Sequence, residues 1–271
     1  MTESSGTEPP RSRDGAQTIH RTAALLREIA AARGGGAPLN RLAAATGLAP
    51  STAHRMLQAL VDEELLAKDP ASRTYRPGPL LYELGLAAAP QLDLRKLCQP
   101  SLQRLAEGTG DTAYLTIRSG GDALSLDRCE GSFPIKALPL DIGNRRPLGV
   151  GAGALAVIAA MPRAEGDAAV AANAARYPRY RLTAERVARE LEATRARGHA
   201  VSTGRFVARY RGVAVPFGGG EVPAASLCII AISERLKPER QDRILALLVR
   251  EAATLTALLA TQPPPEPTGH W

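Results

Sequence analysis

Cysteine is scarce in this sequence, with three residues in 271, Cys98, Cys129 and Cys228. An odd number at such separations forms no disulfide framework, and without a C-x-x-C pair no zinc site can be read. The three are expected to be buried, reduced fillers. Long apolar runs are missing as well. No stretch reaches the roughly 18 uninterrupted apolar residues that a membrane span needs, and the opening MTESSGTEPPRSRDG lacks the apolar core of a signal peptide. A cytoplasmic protein without a membrane partner is expected. The histidines, His20, His54, His199 and His270, are too scattered to hold a metal. No G-x-S-x-G, H-E-x-x-H or P-loop occurs, so no catalytic residue, cofactor or enzymatic activity is expected.

What is present suits two domains, each large enough to bury its own core. The net charge of +7 suggests nucleic acid, but its distribution does not. Residues 1–92 hold ten Lys/Arg against nine Asp/Glu, whereas Arg176 to Arg211 holds ten Arg against Glu185, Glu190 and Glu192. Any argument for DNA must therefore rest on where residues sit and not on bulk charge.

Residues 1–15 are polar, rich in Ser, Pro and Gly, and expected to be a disordered tail. Helical periodicity runs from Thr18 to about Arg33 and stops at Gly34 to Gly36. The stretch ATGLAPSTAHRMLQALVDEEL, residues 45–65, reads as one helix closed by Gly47 and restarted at Ser51. A helix broken and rebuilt so quickly must cross itself at a steep angle, as in a helix-turn-helix. Residues 65–78, LLAKDPASRTYRPG, place turn formers between two extended pieces, a small hairpin. Residues 16–78 are therefore expected to form a winged helix-turn-helix, followed by a linker helix over 79–92.

The remainder, 93–261, changes character. Leu97 to Gly108 is helical, and TAYLTIRSGGDALSLDRCE, residues 112–130, alternates about Gly120-Gly121 as a tight hairpin. FPIKALPL is a third strand candidate, and a glycine turn at 149–153 opens an Ala-rich helix. Thr183 caps a helix that Gly198 stops. RGVAVPF and AASLCIIAI are central strands, and Pro238 to about Ala260 is a closing helix. The fold class is α+β, an antiparallel sheet carrying helices, and 262–271 is expected to be a loose tail.

The blocks NRLAAATGLAPSTAHRMLQALVDEELL, RTYRPGPLLYELG, RRPLGVGAGALAVIA, YRGVAVPF and AASLCIIAI resemble the IclR family of bacterial transcriptional regulators, from about Gln17 to Ala260. The resemblance implies a winged helix-turn-helix joined to a GAF-like effector-binding domain, a dimer or tetramer, and repression or activation of nearby genes in response to a small molecule, often an organic acid. One departure is Pro50, where the family commonly has Lys.

In a helix-turn-helix the leading turn of the second helix points at base edges. Here Ser51 can cap that helix and offer backbone N–H groups to phosphate, Arg55 can fork onto guanine, His54 and Gln58 can reach neighbouring bases, and Thr52 can touch a thymine methyl. Arg41 and the hairpin residues Arg73, Tyr75 and Arg76 complete the expected contacts to an inverted-repeat, double-stranded operator. Gly149, Gly151 and Gly153 with Ala152 expose N–H groups at a helix start, a place for a carboxylate. Aligned on Pro147 and Pro216, the family's polar pocket positions fall on Gly149, Gly212, Cys228 and Ile230. All four are small or apolar, which favours an acid with a larger apolar or aromatic body. Arg205, Arg209 or Arg211 is the candidate second anion contact. Two alternatives stand beside this reading. GVGAGA, residues 149–154, also satisfies a dinucleotide-binding pattern, although that pattern needs a preceding strand and a second strand further on. The C-terminal half can instead be an oligomerisation module alone.

Overall fold

The computed structural model describes residues 13–32, 35–88, 94–202, 209–219 and 222–261. The polar tails expected at 1–15 and 262–271 lie almost wholly outside them; helix α1 already begins at Arg13. The chain divides into two compact units, Met1–Pro90 and Gln91–Trp271.

The first unit packs α1 (Arg13–Ala31), α2 (Leu39–Thr46) and α3 (Pro50–Asp62) against a three-stranded sheet. Gly47 ends α2 in the left-handed region, at φ 67°, where a side chain would be strained, and Ala49 and Pro50 restart the helix as N-cap and first residue. Proline suits that first position because its missing N–H has no partner there in any case. The hairpin is β2 (Leu66–Lys68) against β3 (Thr74–Pro77), and β3 also pairs with the two-residue β1 (Ala37–Pro38), which the sequence did not reveal. Asp69 holds the turn by accepting from the Ala71 and Ser72 amides at 2.9 Å. Leu25, Ile29, Leu42, Leu57, Leu60, Leu66 and Tyr75 form the core. Helix α4 (Pro79–Ala88) follows, with Tyr82, Leu84 and Leu86 exposed.

In the second unit a six-stranded antiparallel sheet has the order β6-β5-β4-β9-β8-β7. Its strands are β4 (Thr112–Ser119), β5 (Asp122–Cys129), β6 (Arg145–Pro147), β7 (Ala200–Ser202), β8 (Tyr210–Gly219) and β9 (Val222–Ile232). Strand β9 is apolar almost throughout because both of its faces are covered. Leu227, Ile229 and Ala231 pack with α5 (Leu94–Thr109) and α9 (Pro238–Thr261), while Cys228 and Ile230 face α6 (Ala152–Ala159) and α8 (Ala184–Arg197). Helix α9 is long and apolar enough by composition to cross a membrane, but it lies on the sheet through Ile244, Leu248, Ala252 and Leu255. The segment FPIKALPL is not a strand. It runs as an irregular loop whose carbonyls at Ala137 and Leu140 accept from the Tyr114 hydroxyl. Helix α7 (Arg163–Ala172), a 3-10 segment over Ala174–Tyr180, β6 and β7 were not legible in the sequence.

Two packing details carry stability. A Cβ at Gly153 would lie 2.8 Å from Thr116 Oγ1, so α6 sits against β4 with no room for a methyl group. Gly153→Ala is expected to cost about 1–3 kcal/mol by overpacking, and Thr116→Ala in the same chain should return part of it. Urea denaturation of both variants reads this directly, and additive losses would contradict it. On the opposite face, buried Glu251 accepts hydrogen bonds from Arg104 at 2.7, 3.1 and 3.3 Å. Burial alone would raise the Glu251 pKa, but hydrogen bonds from Arg104 and Ser101 and the charge of Arg104 outweigh it and hold the group below its ordinary 4.5. A depressed carboxylate stabilises the fold above its unfolded value and loses that contribution as pH falls through the folded one. Acid unfolding of Glu251→Gln should therefore be shallower below about pH 4.5 than that of the parent. Identical acid limbs would remove this role from Glu251.

Candidate functional site

Each unit carries one candidate surface. In the first, Ala53, Leu57 and Leu60 bury one side of α3 and leave Ser51, His54, Arg55 and Gln58 exposed on the other, with Thr52 half-buried at the edge. Ser51 does not cap the helix. That place belongs to Ala49, and Pro50 already occupies the first turn, so Ser51 is a surface hydroxyl within it. Gln58 donates to Asp62 Oδ1 at 2.9 Å, which brings a carboxylate to the same face. Arg41 is exposed on α2, and Arg73 stands exposed at the tip of the hairpin with φ 53°. Tyr75 must be withdrawn from the contact surface, since it is 1% exposed and fills the core beneath the hairpin. Arg76 is half-exposed and paired with Asp69 at 2.9 Å. Lys68, missed in the sequence, is exposed on β2 with its ammonium 5.5 Å from the centre of the Tyr75 ring. The alternation of β2 and β3 could have separated Tyr75 from its neighbours, because Thr74 and Arg76 point the other way.

In the second unit all seven expected pocket positions, Gly149, Gly151, Ala152, Gly153, Gly212, Cys228 and Ile230, line one cavity of about 120 Å³ between α6, α8 and the sheet. Gly149 and Gly151 adopt φ 95° and 92°, which lets the chain turn sharply into α6. Gly153 touches Thr116 and Ser226 of the sheet, and the Ser226 hydroxyl donates to its carbonyl at 2.9 Å. Burial pushes the Cys228 thiol up to about 12, so it contributes a neutral, compact wall. Cys98 is likewise buried, and Cys129 is half-buried.

The lining is more polar at one end than the sequence suggested. Thr116, Ser125, Asn144 and Arg146 stand at the β4-β5-β6 end. Arg146 escaped notice because no strand was assigned to residues 145–147, and without a strand the two neighbouring arginines cannot be given opposite faces. Of the arginines expected near the ligand, Arg211 lines the cavity, Arg209 is exposed outside it, and Arg205 lies outside the described residues. Three residues of strand do precede the glycine turn, contrary to one ground for setting the dinucleotide pattern aside. That strand is an antiparallel edge, residues 163–180 are helical, and no parallel pair exists among the described strands, so the crossover that the pattern requires is not formed. Among the described residues no cluster of three His, Cys, Asp or Glu side chains is placed to hold a metal.

A winged helix-turn-helix followed by a helix-covered antiparallel sheet enclosing a small-molecule-sized cavity is the architecture of a ligand-responsive transcriptional regulator. The comparisons make this specific. The IclR helix-turn-helix domain model matches residues 18–70, and the C-terminal domain model of bacterial transcriptional regulator IclR matches residues 86–257. The chain is similar to the HTH-type transcriptional regulator KipR of Bacillus subtilis, 32% identical over 48% of this chain and 51% of that protein. It is similar to the probable transcriptional regulator SauR of Cupriavidus necator, 30% identical over 73% of this chain and 81% of that protein. A solved IclR homologue from Microbacterium hydrocarbonoxydans, complexed with 4-hydroxybenzoate, superposes with a TM-score of 0.68 at 20% identity, over 90% of this chain and all of that one. This chain belongs to the IclR family of bacterial transcriptional regulators.

Exchange of Arg55 separates base reading from phosphate holding. Arg55→Ala is expected to weaken binding to a selected operator by about 1–3 kcal/mol and to relax preference at one base step, whereas Arg73→Ala should weaken operator and random DNA alike. Fluorescence anisotropy on both DNAs measures the difference. Equal losses for Arg55→Ala would assign it to phosphate.

Proposed function

We propose that residues 16–78 bind an inverted-repeat operator, with the exposed face of α3 in the major groove, and that residues 93–261 hold an organic acid whose binding alters that affinity. Arg55, His54 and Gln58 read bases, Ser51 and Thr52 contact the backbone or a thymine methyl, and Arg41, Arg73 and Arg76 hold phosphates. The observation that carries the sensor half is the convergence of seven residues, drawn from the α6 turn, β8 and β9, on one largely apolar cavity. A predominantly apolar lining suits an acid with an aromatic or branched body. The 4-hydroxybenzoate bound to the Microbacterium homologue is of this kind. The protein acts in the cytoplasm, where its operator is, and not as an enzyme.

A single recognition helix spans too few base pairs for operator specificity, so the protein acts as a dimer or tetramer on half-sites about 34 Å apart or a multiple of it. Exposed Tyr82, Leu84 and Leu86 of α4, with Ile19 of α1, offer apolar surface for self-association. Sedimentation at micromolar concentration is expected to give at least a dimer, and Leu84→Glu combined with Leu86→Glu to lower its stability. A monomer with and without operator would defeat the paired arrangement.

Genomic fragments selected on the full-length protein, then titrated with 4-hydroxybenzoate and other aromatic and aliphatic acids, test the whole reading. An effector at one hundred times its Kd should add about 2.7 kcal/mol to the native state and shift operator affinity. A panel in which only small hydroxy or keto acids stabilise the protein would reverse the assigned ligand class.

A further inference from the structure

Among the described residues three arginines line the cavity: Arg146 at its β5-β6 end, and Arg186 and Arg211 on its α8-β8 side, where Glu190 pairs with Arg186 at 3.7 Å. Strand β6 pairs with β5 so that Arg145 lies opposite Leu124 and Arg146 opposite Ala123. Neighbouring residues on a strand point to opposite faces. Arg145 accordingly reaches Asp122 and Ser119, while Arg146 turns to the α6 face, lines the cavity and donates from Nη2 to the Pro139 carbonyl at 2.8 Å. Ser125, two residues along β5 from Ala123 on the same face, is 2% exposed, and its hydroxyl has no hydrogen-bond partner. A buried hydroxyl left unpaired costs about 1–3 kcal/mol, and such groups in native folds usually have an occupant that satisfies them.

Resting on the effector-cavity reading above, we infer that the cavity takes a monocarboxylate oriented with its carboxylate at the β5-β6 end, against the Arg146 guanidinium and the Ser125 hydroxyl, and its apolar body toward Val150, Cys228 and Ile230. Burial lowers the Arg146 pKa from 12.5 to about 10, and the groups that oppose the shift are the phenols of Tyr180 and Tyr114. A cation so poorly solvated gains from an incoming anion more than an exposed one does. Three sites compete: the N-terminus of α6 offers about half a charge on a helix of eight residues, Arg211 is exposed to solvent, and Arg186 is paired with Glu190 at 3.7 Å, whereas Arg146 is half-buried and carries a full charge.

Benzoate and benzamide, equal in shape and different in charge, are the probes, titrated calorimetrically into the full-length protein. The parent is expected to prefer benzoate by about tenfold or more, and Arg146→Gln to abolish that preference while leaving benzamide within about twofold. Arg146→Lys should restore part of it. Ser125→Ala, too small a change to endanger folding, should weaken benzoate about threefold and benzamide less. A preference that survives Arg146→Gln, that disappears in Arg211→Gln instead, or a benzoate affinity unchanged by Ser125→Ala overturns the orientation while the cavity remains an effector site. If neither probe binds the parent, the effector-cavity reading for aromatic acids falls together with the orientation.

Discussion

The second unit depends on how closely α6 approaches the sheet. At Gly153 the helix backbone lies near enough to Thr116 that even a methyl group would intrude, and the Ser226 hydroxyl bonds to the Gly153 carbonyl across the same contact. The approach is possible because the chain enters α6 through Gly149 and Gly151, both at positive φ, which turn it directly off β6. One end of α6 is thereby pinned to the sheet. The cavity lies beside that contact, and its floor is the alternating face of the strands.

Division of labour between the two faces follows. The α5-α9 face is closed by apolar packing and by arginines that satisfy buried carboxylates. Arg104 meets Glu251, and Arg235 and Arg240 both meet Asp111 at 2.8 and 2.7 Å. Removing one partner of such a pair leaves an uncompensated buried charge, so this face is costly to alter. The α6-α8 face instead leaves polar side chains on the cavity wall, with the Ser125 hydroxyl unpartnered.

The first unit solves a different problem. It is small, and its hairpin is held by an Asx turn at Asp69 and by Tyr75 driven into the core, with Lys68 lying over the ring. Anchoring the hairpin through an aromatic core residue leaves Arg73 and Lys68 at the surface. The same economy appears in α3, where three buried residues fix the helix and Ser51, His54, Arg55 and Gln58 stay exposed.

The sequence by itself determined the elements whose signals are local. Gly47 stopped a helix that restarted within a few residues, Gly120-Gly121 joined a hairpin, Thr183 and Gly198 bounded α8, and the mostly apolar run of β9 announced a central strand. The seven positions picked out in the sequence also line one cavity. Tertiary structure alone decided what depends on which face a residue meets. Tyr75 became core and not contact, Ser51 lost its cap to Ala49, FPIKALPL became a loop held by Tyr114, and Arg146 was separated from Arg145 by a three-residue strand too short to leave a periodic signal. Side-chain direction on a strand is set by pairing with a distant segment, and that pairing is not written in the residues that flank it.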